Sequence, residues 1–186
     1  MLIISDYQLV EKPSGGDFVW FVVSLEQHVS PCCGGALRVI SSRKRVRIRS
    51  TGVKERLIIR RLRCQDCGRT HSELPDCLVP YKRYDSASIE AVVSGDPLLD
   101  VAADESTLLR WKAWFSEMVN YFLGCLQSLA LRYRQCTVEV RSDLPESSLQ
   151  RIWHYVGNAS CWLARVVRPV ANANLWVQTR FAFLSG

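Results

Sequence analysis

Ser30-Pro31-Cys32-Cys33-Gly34-Gly35 and Cys64-Gln65-Asp66-Cys67-Gly68 are two cysteine–glycine groups joined by a stretch dense in arginine. The roughly 30 residues between them are a separation that a β-hairpin closes, so the whole stretch from His28 to His71 reads as a zinc ribbon. Two thiolates on a Cys-x-x-Cys turn, with a glycine behind them that lets backbone N–H groups point at the sulfurs, form half of a tetrahedral Zn²⁺ site. The second group has that form in full. In the first, Ser30 stands where the first thiolate of a Cys-Pro-x-Cys-Gly knuckle belongs, and a hydroxyl is a poor zinc ligand. The expected ligand set is therefore Cys32, Cys33, Cys64 and Cys67, with His71 and then His28 as alternatives for the fourth position. A ribbon so eroded that it holds no metal is one competing reading; buried cysteines in an ordinary core, or a redox Cys-x-x-Cys, are two others. Neither explains a second Cys-Gly pair facing the first across a hairpin.

Working outward, 186 residues with 48% hydrophobic content are enough for a real core. The formal net charge is +6, and the excess is local: Arg38 to Arg69 holds twelve Lys or Arg against two acids, Glu55 and Asp66. An anionic partner met at one end of the protein is the expectation. Met1 to Asp6 lacks the basic start and apolar run of a signal peptide, so the eight cysteines are read as belonging to a reducing cytoplasm. Cys77, Cys125, Cys136 and Cys161 are then free, mostly buried thiols. The apolar stretch 113–131 is interrupted by Glu117, Asn120, Gln127 and Ser128 at helical spacing, which fits a buried amphipathic helix and no membrane association.

The expected fold class is α+β: a small β-rich zinc ribbon over 1–80, an all-α helix-turn-helix with a long third helix over 81–135, and a helical region over 136–186. Leu2 to Val10 and Phe18 to Leu25 read as strands split by a Pro-Gly turn, the second buried on both faces. In Arg45-Val46-Arg47-Ile48-Arg49, alternation puts Val46 and Ile48 on one face and three guanidinium groups on the other. A charged row on an edge strand can serve only to block aggregation. That needs one or two charges, however, and few acids are near to neutralise the rest. Arg43, Lys44, Arg45, Arg47 and Arg49 are thus expected to meet a phosphate backbone. His71 to Tyr84, with two prolines, reads as an extended linker. In it, Lys82 and Arg83 interleave with Tyr81 and Tyr84 as nucleic-acid contacts often do, although the tyrosines could equally dock on the next helix.

From Asp85 the period turns helical. A short helix capped by Asp85 or Ser86 runs through Val93, and Leu98 to Ala102 offers a second. A long third helix opens at Asp104-Glu105-Ser106-Thr107, with an apolar stripe of Leu108, Trp111, Phe115, Met118, Phe122, Leu126, Leu129 and Tyr133. Three helices with a tight turn before the third are the plan of a helix-turn-helix, in which Ser106, Thr107 and Arg110 reach bases or phosphates and Lys112 flanks them. The same caps and helices occur without DNA. A loop over 137–145 precedes further helix from Glu146 to Arg168-Pro169. The apolar ending, Asn172 to Phe183, either packs back on the long helix or serves as a contact surface.

On these segments, together with Arg61-Leu62-Arg63-Cys64, His71-Ser72-Glu73-Leu74-Pro75, Pro80 to Tyr84 and Glu105 to Trp111, the chain resembles a family of uncharacterised bacterial proteins. Those proteins pair a zinc ribbon with a helix-turn-helix and are similar to the N-terminal DNA-binding part of insertion-sequence transposases. The likeness covers residues 28 to 116, and Asn174-Leu175-Trp176-Val177-Gln178-Thr179-Arg180 fits the same group. It implies DNA binding in a mobile-element or prophage setting, with a transposase or another mobile-element protein as partner. The function expected is non-catalytic, accessory or regulatory. The alternatives are a compact or truncated transposase and an RNA-binding or protein-docking zinc module. Strand transfer needs carboxylates to hold divalent ions, and between Gln135 and Gly186 the acids are only Glu139, Asp143 and Glu146.

Overall fold

The two N-terminal apolar runs become three strands, because Ser5-Asp6 breaks the first of them. In the computed structural model, which describes residues 1–14, 17–95, 101–133 and 147–177, these are β1 (Leu2–Ile4), β2 (Tyr7–Ser14) and β3 (Asp17–Ser24). The arginine-rich hairpin supplies β4 (Leu37–Ile48) and β5 (Lys54–Cys64), turned at Gly52 with φ +83. The sixth strand is β6 (Thr70–Pro75), and the sheet runs β1-β6-β5-β3-β2, with β4 paired to β5. Helices follow: α1 (Ser86–Ser94), α2 (Glu105–Tyr133), α3 (Ser148–Val156) and α4 (Trp162–Asn172). The fold is α+β.

One hydrophobic cluster joins the two halves: Leu2, Ile4, Leu57, Ile59 and Leu74 from the sheet meet Trp111, Phe115, Phe122, Leu163 and Val166 from the helices. Asn172 fastens α4 to the sheet edge. Its side chain accepts from the Ile3 N–H (2.7 Å) and donates to the Ile3 carbonyl (2.9 Å), imitating a neighbouring strand. Glu26 makes a second tie, accepting from the N–H groups of Ser5 and Asp6 and from Arg168 of α4 at 3.0 Å.

The helix ends follow the local chemistry. Asp85 caps α1 by accepting from the Ser88 N–H at 2.9 Å, and Gly95 closes it in the left-handed region. Ser147 and Gln150 form a capping box at the start of α3. In α2, Trp111, Phe115, Phe122, Leu126 and Leu129 are buried as the stripe predicts, whereas Tyr133 is exposed. Among the described residues no helix is long and apolar enough to cross a membrane.

Several expectations are corrected. Residues 70–75 are no linker: His71, Glu73, Leu74 and Pro75 are buried in β6, between β1 and β5, because an extended Pro-ended segment satisfies its backbone as well in a sheet as in solvent. The strand β3 is not buried on both faces, since Phe18 is 62% exposed while Val19 and Val22 are buried. The helix expected to stop at Arg168-Pro169 continues through Pro169 to Asn172, where burial of Val170 and Ala171 offsets the missing N–H. Cys161 is exposed rather than buried, and Cys77 is only partly buried. Of the second short helix, residues 98–100 lie outside the described residues, and Val101 and Ala102 are not helical. Also outside are Cys136, the loop over 137–145, the carboxylates Glu139, Asp143 and Glu146, and the chain end from 178. Up to residue 177 the ending packs back, with Trp176 stacked on Phe122 at 5.7 Å between ring centroids.

Candidate metal centre and basic sheet

Each knuckle is a turn that needs a left-handed residue, and each places glycine there: Gly34 at φ +79 and Gly68 at φ +72. The Gly34 N–H donates to the Ser30 carbonyl (2.8 Å) and the Gly68 N–H to the Cys64 carbonyl (3.1 Å). Cross-links between the Gln65 N–H and the Ala36 carbonyl, and across the Val29–Ala36 bridge, hold the two turns against each other. Behind the first turn, a methyl group on Gly35 would sit 2.6 Å from Asp66 Cγ, so any larger residue there would have to push the Asp66 side chain aside.

The sulfurs of Cys32, Cys33, Cys64 and Cys67 consequently lie within 4.8 Å of one another. Individual separations are 3.0 Å for Cys32–Cys67, 3.3 Å for Cys33–Cys64 and 3.9 Å for Cys32–Cys33. A tetrahedral zinc with Zn–S near 2.3 Å requires sulfurs about 3.8 Å apart, a value these separations bracket. The donor set fits a soft divalent ion, and four cysteines so placed could bind one.

Their electrostatics make the same point. The Cys67 N–H, then the Ser30 hydroxyl, lower the Cys64 thiol to about 6. Cys33, although the Gly35 N–H favours its thiolate, is pushed up to about 12, with hydrogen bonding to Cys64 the leading cause. One sulfur ionises at the expense of its neighbour, and only a cation lets all four be thiolates.

Cys32 has a support that the knuckle pattern does not predict. Ser30 Oγ, 2% exposed as a residue, lies 2.8 Å from Cys32 Sγ and 3.2 Å from His71 Nε2, and His71 Nε2 is 3.4 Å from the same sulfur. Burial, with the positive charges of the Met1 amino group and Arg69, holds His71 down at about 4, so the ring is neutral at pH 7. His71 thus stands behind Cys32, outside the group of four sulfurs. His28 points elsewhere, with Nε2 3.7 Å from Glu26.

The arginines are distributed differently from the expectation, and the face assignment at the hairpin tip is inverted. Arg47 is 8% exposed and Val46 40% exposed. Arg45 stands opposite Leu57 and Arg47 opposite Glu55, two residues further along β5, so these guanidinium groups share the face of the buried Leu57. The reason is a carboxylate placed to receive them: Glu55 accepts from Arg47 Nε (2.6 Å) and Arg49 Nε (2.6 Å), and Arg47 Nη1 also reaches Cys77 Sγ at 3.3 Å. Arg45 is partly buried, whereas Arg43, Lys44 and the side chain of Arg49 are exposed. Lys82 lies over the Trp114 ring at 4.6 Å, and Tyr84 packs edge-on against Trp111 at 4.8 Å, so half of the Tyr81–Tyr84 segment docks on α2. The backbone of Arg83 joins the hairpin, its carbonyl accepting from the Ile48 N–H at 2.8 Å.

At the start of α2, Ser106 and Lys112 are exposed and Thr107 is partly so. Arg110 folds back on this turn, donating to the Ser106 carbonyl (3.1 Å) and Thr107 Oγ1 (3.0 Å). The hairpin tip is anchored beside it by the Ala102 N–H, 2.7 Å from the Ser50 carbonyl.

No curated protein and no solved structure matches the chain. Residues 30–111, which contain all four clustered cysteines and the arginine-rich hairpin and end at Trp111, match the family model of a domain of unknown function (DUF6431).

Proposed function

We propose that this chain is a non-catalytic DNA-binding protein in which a zinc ion held by Cys32, Cys33, Cys64 and Cys67 fixes the base of a basic hairpin. The observation that carries the reading is the convergence of four sulfurs within 4.8 Å at the end of a hairpin that is itself the most basic part of the chain. A structural zinc is folding free energy for the segment that supplies its ligands, and here that segment is the one best charged for a polyanion. In this reading α1 and α2 are the first and third helices of a helix-turn-helix. Ser106, Thr107, Arg110 and Lys112 then lie at the reading end, and Arg110 must release its contacts within α2 to reach a base. An accessory or regulatory role in a mobile element rests on the resemblance of residues 28 to 116.

Two measurements test this. Protein purified without added metal should contain about one zinc per chain by elemental analysis, as a closed four-sulfur site requires. Selection from random duplexes should return a common sequence, and replacing Arg110 should relax it at one position. Consistently metal-free protein that nevertheless folds removes the zinc, and absence of any duplex binding removes the function.

A further inference from the structure

We infer that the phosphate backbone of duplex DNA is taken by the open half of one face of the sheet, formed by Arg38, Ser41, Arg43, Arg61, Arg63 and Thr70, rather than by the arginines nearest the hairpin tip. The inference rests on the DNA-binding reading and assigns it a surface.

The face follows from register. Residues directly opposite in antiparallel strands share a face, as do residues two apart along a strand. Arg63 stands between Arg38 on β4 and Thr70 on β6, and Arg61 between Ser41 and Ser72. Arg43 continues the same face opposite Ile59. A register shift between Val39 and Ser41 inserts one extra residue into β4 and brings Arg38, instead of Val39, to this side.

Along that face the cover changes. Towards the tip the helices bury Leu57 and Ile59, and Arg45 and Arg47 sink with them. Towards the cysteines the cover ends, and Arg38, Arg43, Arg61, Arg63 and Thr70 are all exposed. Arg38 and Arg63, Cys64, Gln65 and Gly68 line a groove of about 490 Å³ there.

Charge says what should fill it. Like charges directly opposite across a strand pair destabilise the pair, and Arg38 and Arg63 are such a pair. Among the described residues no carboxylate forms an ion pair with Arg38, Arg43, Arg61 or Arg63. Two of the nearby acids are committed elsewhere, Glu73 to Arg60 and Glu55 to Arg47 and Arg49, and Asp66 forms no ion pair with any of the four. Guanidinium groups alternating with hydroxyls on an exposed sheet suit phosphate oxygens, which accept from both, while offering little that reads a base. The occupant is therefore a phosphodiester backbone.

The test is duplex binding across a salt series for three variants of the full chain. Arg61→Ala/Arg63→Ala should weaken binding on the order of 10- to 100-fold near 0.1 M salt and lower the salt slope by about 2. Arg61→Lys/Arg63→Lys keeps the charge and should retain most of the slope. Arg132→Ala/Arg151→Ala, which removes the same charge from exposed helical positions, should bind as wild type. Zinc content and thermal midpoint verify that each variant is folded. Wild-type binding that is unchanged in Arg61→Ala/Arg63→Ala, or lowered equally in the helical control, overturns the surface and leaves the DNA reading standing. A wild type that binds no duplex removes both.

Discussion

Ser30 occupies a ligand position without being a ligand, and its hydroxyl is bonded to the neighbouring sulfur instead. Partners behind a metal ligand typically tune affinity 10- to 100-fold. Ser30→Ala should therefore weaken zinc binding by about 10-fold in chelator competition, whereas Cys64→Ser should abolish the site, and equal losses would show Ser30 to be merely structural. Because the Cys33 thiol sits at about 12 while Cys64 sits at about 6, zinc must displace protons at neutral pH. Its affinity should rise with pH, and calorimetry in two buffers of different ionisation enthalpy should detect the released protons. Asp104 carries a separate pH dependence. The Ser106 hydroxyl, then the Thr107 N–H, lower its carboxyl below 3.8. A depressed folded pKa gives stability that is present above the unfolded value and lost as pH falls through the folded one. The first turn of α2 should fray as pH falls below the ordinary aspartate range, which amide exchange at Thr107 and Leu108 would follow.

The edge of β1 and the tip of the hairpin each depend on one residue more than their neighbours suggest. Asn172→Ala leaves the Ile3 N–H and carbonyl without their partner in a buried strand, and should cost about 2–4 kcal/mol in denaturant unfolding. Arg47→Ala strips the buried partner from Glu55, whose side chain is 10% exposed, and should cost about 3 kcal/mol or more. Arg49 binds the same carboxylate from an exposed position, and Arg49→Ala should cost about 1 kcal/mol or less. Near-equal effects would contradict the burial difference between the two. The row Arg45, Arg47, Arg49 is thus divided into a partly buried member, a buried structural one and an exposed one, a division the alternating sequence does not contain.

Over the whole molecule the four-cysteine cluster and the hydrophobic core lie at different places. The cysteines close one end of the hairpin, while the helices pack around Leu57, Ile59 and Leu74. Chelation should therefore loosen the knuckles and lower the thermal midpoint, yet leave most helical circular dichroism at room temperature; complete loss of helix would place the metal within the core's own stability. The sequence by itself determined the cysteine grouping, the hairpin turn at Gly52, the caps of α1 and most of the buried stripe of α2. Those depend on spacing, on glycine's access to positive φ and on side chains bonding their own backbone, all local properties. Only the tertiary structure decided which face of the arginine strand is covered, that residues 70–75 are a central strand, and that Ser30 and His71 stand together behind Cys32. A period of two defines two faces without saying which one meets the helices, and a one-residue shift at Val39–Ser41 exchanges them. That choice belongs to contacts between residues far apart in the chain, which spacing alone does not record.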